Sequence, residues 1–287
     1  MVRVIQRHAA IAVAVIAIAC GGPAAGPTAT PGVTAPPDPT PTVTETPKST
    51  PTVRPQTVER LQVEVLQRRP HDPSAFTQGL VLHERRLYEG TGEYGRSTLR
   101  EVDPETGEVL RSIDLDDRYF GEGIAVADDR IIQLTWQEKT AFVYRLSDFR
   151  QLTTFEYDTE GWGLCDDGTR LVMSDGTDQL YFRDRETFAL LGQVGVTNDG
   201  EPVDRLNELE CVDGQVYANV WRTTEIVRIN PTTGQVAAVI DASGLLAEAE
   251  AQGAGILNGI AYDGVSGTFL LTGKNWPSLF EVRFVPR

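Results

Sequence analysis

Glu122 is the acidic residue whose position most strongly indicates a chemical role. It lies between Gly121 and Gly123, immediately before an apolar segment that begins at Ile124. Glycine on both sides allows other backbone segments to approach closely. Burial of a carboxyl group there would raise its pKa into the range that suits proton transfer. A glutamate in a loop more often lies on the surface, and that is the alternative. We favour Glu122 as a group that accepts and returns a proton.

Large aromatic, amide and lysine side chains occupy comparable positions beside other apolar segments. Tryptophans could wall a substrate pocket, although a single tryptophan in a β protein more often belongs to the core. The amides could bind a polar substrate or cap strands, and the lysine could be a charge partner of Glu122 or a solvated surface group. All four tryptophans of the chain fall in such positions, which favours a pocket. The candidate pocket residues are Phe76, Gln78, Trp136, Trp162, Asn207, Trp221 and Lys274, with Trp276 beside them.

The elements that must position these residues repeat five times along the chain. A short Gly-rich or polar quartet leads into an apolar strand, a turn and a second strand, and tight turns rich in Pro and Gly join two further strands. The quartets begin at Thr77, Gly121, Gly161, Asn207 and Asn258, which are 44, 40, 46 and 51 residues apart. Four short strands in each period of about 40–50 residues are typical of a β-propeller. The sequence therefore predicts an all-β fold, a five-bladed β-propeller.

The same repeat predicts where the loops lie. In a propeller, the link into each innermost strand and the loop after the second strand lie at one end of the ring, so the candidate pocket residues should converge there. The strand Leu61–Leu66 precedes the first quartet and has no blade of its own. We expect it to pair with the last strand, near Leu279–Val285, and so to close the last blade and cover two sheet edges.

Two cysteines, Cys165 and Cys211, occupy the same position in consecutive repeats. A disulfide would suit an exported protein. However, the innermost strands of neighbouring blades diverge, and cysteines whose Cα atoms are more than about 7 Å apart cannot be bridged. We therefore expect two buried thiols rather than a disulfide.

The first 60 residues have the composition of a targeting segment followed by a linker. Arg3 and Arg7 precede the apolar run Ala9–Ala19, which is too short to span a hydrocarbon core of about 30 Å. Small residues then lead to Cys20, as in the signal of a bacterial lipoprotein, where this cysteine carries the lipid. An ordinary signal peptide with an incidental cysteine is the alternative. We predict export and anchoring to the outer face of a bacterial membrane through Cys20.

The domain boundaries follow from the same composition. We predict a lipoprotein-type signal peptide over residues 1–20, a Pro/Thr-rich disordered tether over 21–60 and the propeller domain over 61–287. The 287 residues carry a formal net charge of −15, which argues against a nucleic-acid partner because few cations are free to neutralise phosphates. Three histidines are too few for a His-rich zinc centre. We expect a monomer.

Eight segments of the chain, in order and in all five repeats, resemble the glutaminyl-peptide cyclotransferases of plant and bacterial type, also called glutamine cyclotransferases. The resemblance covers about residues 60–285. The segments are His71–Leu80, Tyr119–Ile124, Gln133–Trp136, Glu160–Leu164, Asn207–Glu210, Tyr217–Trp221, Leu257–Ala261 and Thr272–Pro277.

The resemblance implies a five-bladed propeller enzyme that converts the N-terminal glutamine of peptides or proteins to pyroglutamate and releases ammonia. It implies that Glu122 is the proton-transfer carboxylate and that the seven candidate pocket residues named above bind the substrate. This type is unrelated to the zinc-dependent animal enzymes, so no cofactor should be required. A structural cation in the propeller channel is compatible with the resemblance.

Two other readings of the residues remain open. The first is a non-catalytic propeller whose aromatic pocket binds a sugar or a peptide end. The second is a propeller hydrolase of the lactonase or sialidase kind. A lactonase needs a set of metal-binding carboxylates and amides on the axis, and the available residues are only Glu122, Asn207, Glu208 and Asn258. A sialidase needs an arginine triad, and the predicted loops at the pocket end offer none. Glu208 and Glu210 could be structural or could bind a cation.

Overall fold

The described part of the protein, residues 57–247 and 250–287 of the computed structural model, is an all-β fold. These residues form 22 strands and no helix, and none of them belongs to a helix that could cross a membrane. The predicted signal peptide, the predicted lipidation site at Cys20 and almost all of the predicted tether lie outside the described residues.

After a long first strand, β1 (Glu59–Pro70), three antiparallel four-stranded sheets follow one another along the chain. In each sheet the strands are neighbours in the order in which they occur in the sequence. The first sheet contains β2 (Thr77–His83), β3 (Arg86–Thr91), β4 (Thr98–Val102) and β5 (Val109–Asp114). The second contains β6 (Gly121–Ala127), β7 (Arg130–Thr135), β8 (Thr140–Arg145) and β9 (Gln151–Glu156). The third contains β10 (Leu164–Asp166), β11 (Leu171–Ser174), β12 (Gln179–Arg183) and β13 (Leu190–Gly195).

A short hairpin, β14 (Thr197–Asn198) and β15 (Glu201–Pro202), separates these sheets from an eight-stranded sheet that combines two meanders. The first meander consists of β16 (Leu206–Val212), β17 (Gln215–Val220), β18 (Glu225–Ile229) and β19 (Val236–Asp241). The second consists of β20 (Leu257–Asp263), β21 (Thr268–Gly273) and β22 (Ser278–Pro286).

Strand β1 joins the two meanders of the large sheet. It pairs antiparallel with β22, with Leu61 opposite Pro286 and Pro70 opposite Ser278. This confirms the prediction that the first strand pairs with the last. On its other edge β1 pairs in parallel with β19, from Glu59 opposite Ala238, which the sequence pattern did not predict. Both edges of β1 and one edge of each meander are therefore hydrogen-bonded.

The apolar core consists of clusters that each lie between two successive four-stranded units. Ile124 of β6, for example, packs in one cluster with Leu99 of β4, and Leu80 of β2 shares another with Leu270 of β21. The strands that begin with a quartet are buried along nearly their whole length, whereas the outer strands β5, β9 and β13 are largely exposed. Burial on both faces explains why the part of β6 that follows its quartet residues, Ile124–Ala127, is apolar without alternation.

Glycine in the quartets allows neighbouring innermost strands to run backbone against backbone. A Cβ atom on Gly123 would lie only 2.6 Å from the carbonyl oxygen of Trp162, and the backbone N–H of Gly123 donates to that oxygen at 2.8 Å. A Cβ on Gly163 would overlap the carbonyl oxygen of Asn207. The Gly-rich quartets are therefore required by close packing between the sheets.

The same close packing makes the expectation of two free thiols wrong. Cys165 of β10 and Cys211 of β16 form a disulfide, and their Cα atoms are 5.5 Å apart. The expectation assumed that innermost strands diverge, but the contact of Gly163 with the backbone of Asn207 holds β10 and β16 together at this end. The separation is consequently within the range that a disulfide spans.

Candidate active site

A cavity of about 460 Å³ opens at the end of the sheets where the quartets begin. All eight residues that the sequence predicts for catalysis and binding line it, which brings together loops that are up to about 200 positions apart in the chain. These residues are Phe76, Gln78, Glu122, Trp136, Trp162, Asn207, Trp221 and Lys274. The sequence reasoning missed four further lining residues, which are Phe120, Arg222, Gly255 and Ile256. Phe120 and Arg222 lie next to or near predicted residues, and Gly255 and Ile256 lie just before the quartet that begins at Asn258. Position in the repeat could therefore have identified them.

Irregular strand pairing turns the quartet side chains towards the cavity. In four of the sheet regions the register between the first and second strands shifts within the quartet, at Thr77/Gly79, Gly121/Ile124, Leu206/Leu209 and Leu257/Ile260. A bulge leaves a residue out of the ladder and changes the direction of its side chain. Gln78, Glu122 and Asn207 all lie in these bulged segments, and this explains how strand residues come to line a cavity.

Glu122 is the buried acid of the cavity, with 4% of its surface exposed. Its Oε1 accepts a hydrogen bond from Nε2 of Gln78 at 2.9 Å. Burial raises the pKa of Glu122 well above its usual range; the charge of Lys274 opposes this rise, and the negative charges of Glu160 and Glu138 add to it. Burial therefore favours the protonated form of the Glu122 carboxyl group, as a proton-transfer group requires.

Lys274 lies across the cavity in a loop fastened to the segment that precedes β20. Its N–H donates to the carbonyl of Ile256 at 2.9 Å, and its carbonyl accepts the N–H of Gly255 at 2.6 Å. The ammonium nitrogen is 4.6 Å from the centre of the Phe76 ring. Burial lowers the pKa of Lys274, and the negative charge of Glu122 partly offsets this effect. The lysine is thus a buried cation with an aromatic contact and a distant acid partner.

Two amides besides Gln78 contribute to the polar part of the site. Nδ2 of Asn258 donates to Oε1 of Gln78 at 3.1 Å and to the carbonyl of Thr77 at 3.0 Å, which orients the Gln78 amide so that its NH₂ faces Glu122. Oδ1 of Asn207 is buried and has no hydrogen-bond partner in the part of the chain that the structure describes. A buried acceptor without a partner is costly, so Asn207 is suited to accept an N–H from a ligand.

The aromatic wall is held by Glu160, which sequence reasoning included in a motif but not in the site. One carboxylate oxygen of Glu160 accepts the indole N–H of Trp136 at 2.7 Å and that of Trp162 at 3.0 Å. Burial acts to raise the pKa of Glu160, but the bonds from the two indoles and from Gln137 lower it overall. Trp162 also meets Trp221 edge to face, with ring centres 5.5 Å apart. Glu160 is therefore an anion that fixes the orientation of two indole rings of the aromatic wall.

Trp276, expected beside the candidate pocket residues rather than among them, does not line the cavity. Its side chain is 6% exposed and packs against Phe280, with ring centres 6.1 Å apart. The indole N–H donates to the carbonyl of Gly255 at 2.9 Å. Trp276 supports the loops of Gly255 and Lys274 from behind.

Glu208 and Glu210 bind backbone groups and lie outside the cavity lining. The two carboxylate oxygens of Glu208 accept N–H groups of Leu80 at 3.2 Å and Ile260 at 2.8 Å, and Oε1 of Glu210 accepts the N–H of Tyr262 at 2.9 Å. Burial raises the pKa of Glu208 well above its usual range and that of Glu210 to about 8. These contacts favour the structural reading of both acids.

No group of three or more His, Cys, Asp or Glu residues suited to hold a metal ion occurs among residues 57–247 and 250–287. That no cofactor is required, and that a structural cation could occupy the channel, both stay predictions.

Comparison with known proteins places this site in context. Residues 40–284 match the glutamine cyclotransferase family. The chain is 39% identical over 227 residues to a glutaminyl-peptide cyclotransferase of Arabidopsis thaliana, an alignment that covers 77% of this chain and 71% of that protein. The fold matches the crystal structure of Myxococcus xanthus glutaminyl cyclase with a TM-score of 0.74 and 39% identity, over 80% of this chain and all of that one.

Proposed function

The chain belongs to the glutamine cyclotransferase family, and we propose that it converts the N-terminal glutamine of peptides or proteins to pyroglutamate with Glu122 as the proton carrier. The function rests on the family, on the relative of the same name and on the similar glutaminyl cyclase structure. The role of Glu122 rests on one observation. It is a buried carboxyl group of raised pKa that faces a cavity large enough for a glutamine side chain.

The reaction needs three proton transfers and no water. The α-ammonium of the substrate gives a proton to the Glu122 carboxylate, and the free amine attacks the side-chain carboxamide carbon of the same residue. A carbon–nitrogen bond forms in the new ring, and the bond to the side-chain NH₂ breaks. Protonated Glu122 delivers its proton to that leaving nitrogen, which departs as ammonia. The Glu122 carboxylate then takes the second proton that the ring nitrogen loses in becoming the lactam N–H, and releases it to the ammonia or to solvent. A carboxyl group whose pKa burial raises towards that of an α-amine, about 8, can act in both directions.

Donors for the negative charge on the attacked oxygen are close to Glu122. Gln78 has one N–H on Nε2 that is not used by Glu122, and Lys274 supplies a buried ammonium. Donors of this kind stabilise a developing oxyanion most strongly in a site that excludes water. The unpartnered Oδ1 of Asn207 is suited to accept an N–H of the substrate amine or amide and so to orient it.

The aromatic walls supply the positioning part of catalysis. Trp136 and Trp162, fixed by Glu160, together with Trp221, present rings to the apolar methylenes of the substrate side chain. Folding the side chain back on its own amine costs conformational entropy, and a shaped cavity lowers that cost before the reaction begins.

We also propose that the strands form a five-bladed β-propeller closed by β1. Three four-stranded sheets and two four-stranded halves of the large sheet support this proposal, with β1 as the outer strand of the last half. The core clusters support it as well, because they lie between each unit and the next and also between the last and the first.

The proposal for localisation is export and lipid anchoring at Cys20 to the outer face of a bacterial membrane, as a monomer. The signal-like residues 1–20 support it. The disulfide between Cys165 and Cys211 also supports an oxidising compartment outside the cytoplasm. Replacing Cys20 by alanine should move the protein from the membrane fraction to the soluble fraction, and unchanged fractionation would refute the anchor.

Ammonia release tests the reaction against the alternatives. The purified protein is incubated with a dipeptide that begins with glutamine and, as a matched control, with the same dipeptide acetylated at its amine, each with and without a strong chelator. We expect ammonia only from the free dipeptide and with an unchanged rate under chelation. Release from both substrates would indicate a hydrolase, and release from neither would indicate a binding module. Loss of activity under chelation would indicate a required metal.

A further inference from the structure

A buried histidine–glutamate pair lies outside the cavity lining and takes no part in the proposed chemistry. His71 is 7% exposed and Glu89 of β3 is 2% exposed. Nε2 of His71 lies 3.1 Å from Oε1 of Glu89, and Nδ1 lies 2.7 Å from the carbonyl oxygen of Trp276. The imidazole therefore has a hydrogen-bond contact at each ring nitrogen.

Both contacts of the ring are acceptors, and this determines its charge. A neutral imidazole has one N–H and one lone pair, so it can satisfy only one of the two oxygens. The imidazolium donates to both. A buried cation is tolerated when it is paired with an anion and fully hydrogen-bonded, and the carboxylate of Glu89 provides that pair.

The charged groups around the pair favour the ionised forms. Glu89 also accepts the hydroxyl of Thr77 at 2.7 Å and lies 3.9 Å from the guanidinium of Arg100 on β4. Burial acts to lower the pKa of His71, but Glu89, the Trp276 carbonyl and Asp72 together raise it overall. Burial acts to raise the pKa of Glu89, and His71 and Arg100 lower it overall.

The pair fastens two segments that carry cavity residues. The N–H of His71 donates to the carbonyl of Pro277 at 3.1 Å, and the N–H of Asn275 donates to the carbonyl of Ala75 at 2.7 Å. The side chain of Asn275 also donates to the carbonyl of Pro73 at 3.2 Å, and the hydroxyl of Thr77 to the carbonyl of Gly273 at 3.5 Å. With the ring bonded to Trp276, the segment 71–77 is thus tied at five points to the segment 273–277, and the His71 ring contributes the one bond that depends on its protonation. The first segment carries Phe76 and leads into Gln78, and the second carries Lys274.

We propose that the His71–Glu89 ion pair is a positioning element of the active site, which keeps Lys274 in place opposite Glu122 only while His71 is protonated. This inference rests on the proposed cyclotransferase reaction. When His71 loses its proton, a lone pair faces either the Trp276 carbonyl or the Glu89 carboxylate, and one of these contacts must open. The segment of Lys274 is then held less firmly, and catalysis declines on the alkaline side.

The variant Glu89→Gln tests the proposal, because it removes the anion that keeps the imidazolium charged without removing the histidine. The measurement is kcat and KM for ammonia release from a Gln-initiated dipeptide between pH 6 and pH 9. The matched control is Glu101→Gln, which removes a carboxylate of β4 that is bonded to Arg111 and lies outside the pair. The kcat of each variant is divided by the kcat of the wild type at the same pH. The ionisation of the substrate amine then cancels, because it affects all the proteins equally.

We expect the Glu89→Gln variant to be about tenfold slower in kcat at pH 7, where the imidazole is charged in the wild type and neutral in the variant, since misplacement of a positioning group by ~1 Å can cost up to ~10²-fold. The deficit should shrink towards pH 9, because the wild-type imidazole loses its own proton there. The variant His71→Gln, which cannot titrate, should show its largest deficit at pH 6 and a smaller one at pH 9. Glu101→Gln should keep a constant ratio. A constant ratio for Glu89→Gln, together with a lower Tm, would show that the pair only stabilises the fold and would overturn the proposal.

Histidine NMR tests the protonation state without relying on activity. The His71 signal is identified by its absence from the His71→Gln protein. We expect it to keep the imidazolium shift at pH 7 in the wild type, where an unperturbed histidine of pKa about 6.5 is mostly neutral, and to lose it in Glu89→Gln. A neutral His71 at pH 7 in the wild type would overturn the proposal. A wild-type protein that releases no ammonia at any pH would instead refute the proposed reaction.

Discussion

Replacing Glu122 by glutamine removes the one buried acid of the cavity and preserves its shape. The amide oxygen of the new side chain can still accept the N–H of Gln78, which lies 2.9 Å from Oε1 in the wild type. Burial already disfavours the charged carboxylate, so the substitution should not lower the Tm. The variant therefore separates proton transfer from folding.

The expected loss is in kcat. A positioned acid–base group contributes about 10²–10⁴-fold to a rate, which corresponds to about 2.7–5.4 kcal/mol at 1.36 kcal/mol for each factor of ten. The KM should change little, because the aromatic walls and Lys274 remain in place. If Glu122 only tuned the local charge, removal of one carboxylate would change kcat by a few-fold at most.

The assay is ammonia release from a Gln-initiated peptide across pH 5–9, for wild type, Glu122→Gln and the control Glu208→Gln. Glu208 is equally buried but binds the N–H groups of Leu80 and Ile260 outside the cavity. An amide NH₂ cannot accept one of these bonds, so the control should lose about 1–3 kcal/mol of stability and keep its kcat. A Glu122→Gln kcat within about threefold of wild type at every pH would remove Glu122 from the mechanism.

Glu160→Gln should mainly raise KM, because a glutamine holds the indoles of the cavity wall through a weaker neutral acceptor; an unchanged KM would contradict the positioning role. Replacing both Cys165 and Cys211 by alanine should lower the unfolding free energy by about 4 kcal/mol, the loop-closure value for their separation of 46 residues. Denaturant titration checks this, and a loss below about 1 kcal/mol would contradict it. A chain that begins at Arg69 lacks most of β1, exposes the edges of β19 and β22 and should melt earlier or aggregate; an unchanged Tm would refute the closure. The pKa of Glu210 is raised from 4.5 to about 8 in the folded state, so the folded protein binds the extra proton and stability should fall as pH rises through that interval. Glu210→Gln should flatten this dependence in thermal melts at pH 5 and pH 8, and identical slopes for the two proteins would refute it.

The repeat in the sequence determined which residues reach the cavity. Quartets and second-strand loops recur every 40–51 residues, and loops at equivalent positions of repeated antiparallel units lie at the same end. Glu122 and Lys274, which are 152 positions apart, could therefore be assigned to one site from spacing alone. The pairing of Leu61–Leu66 with the last strand followed from the same counting, because an unpaired strand outside the repeat must cover an open edge.

Side-chain direction and distance between sheets were decided only by the tertiary structure. Trp276 belongs to the same loop as Lys274, yet its indole turns back to the carbonyl of Gly255. Cys165 and Cys211 were expected to lie too far apart, but a glycine contact brings their strands within disulfide range. Spacing in the sequence identifies the loop but not the face on which a side chain lies, because a bulge of one residue reverses that face.

The partners of the site residues depend on the same long-range packing. Nothing in the motif around Glu160 indicates that its carboxylate accepts two indole N–H groups, one of them from a residue 24 positions earlier. Nor does the segment His71–Leu80 indicate that its histidine pairs with Glu89 and the carbonyl of Trp276. Local sequence selects residue types for strands and turns, whereas hydrogen bonds between distant segments form only when the sheets have packed and their register is set.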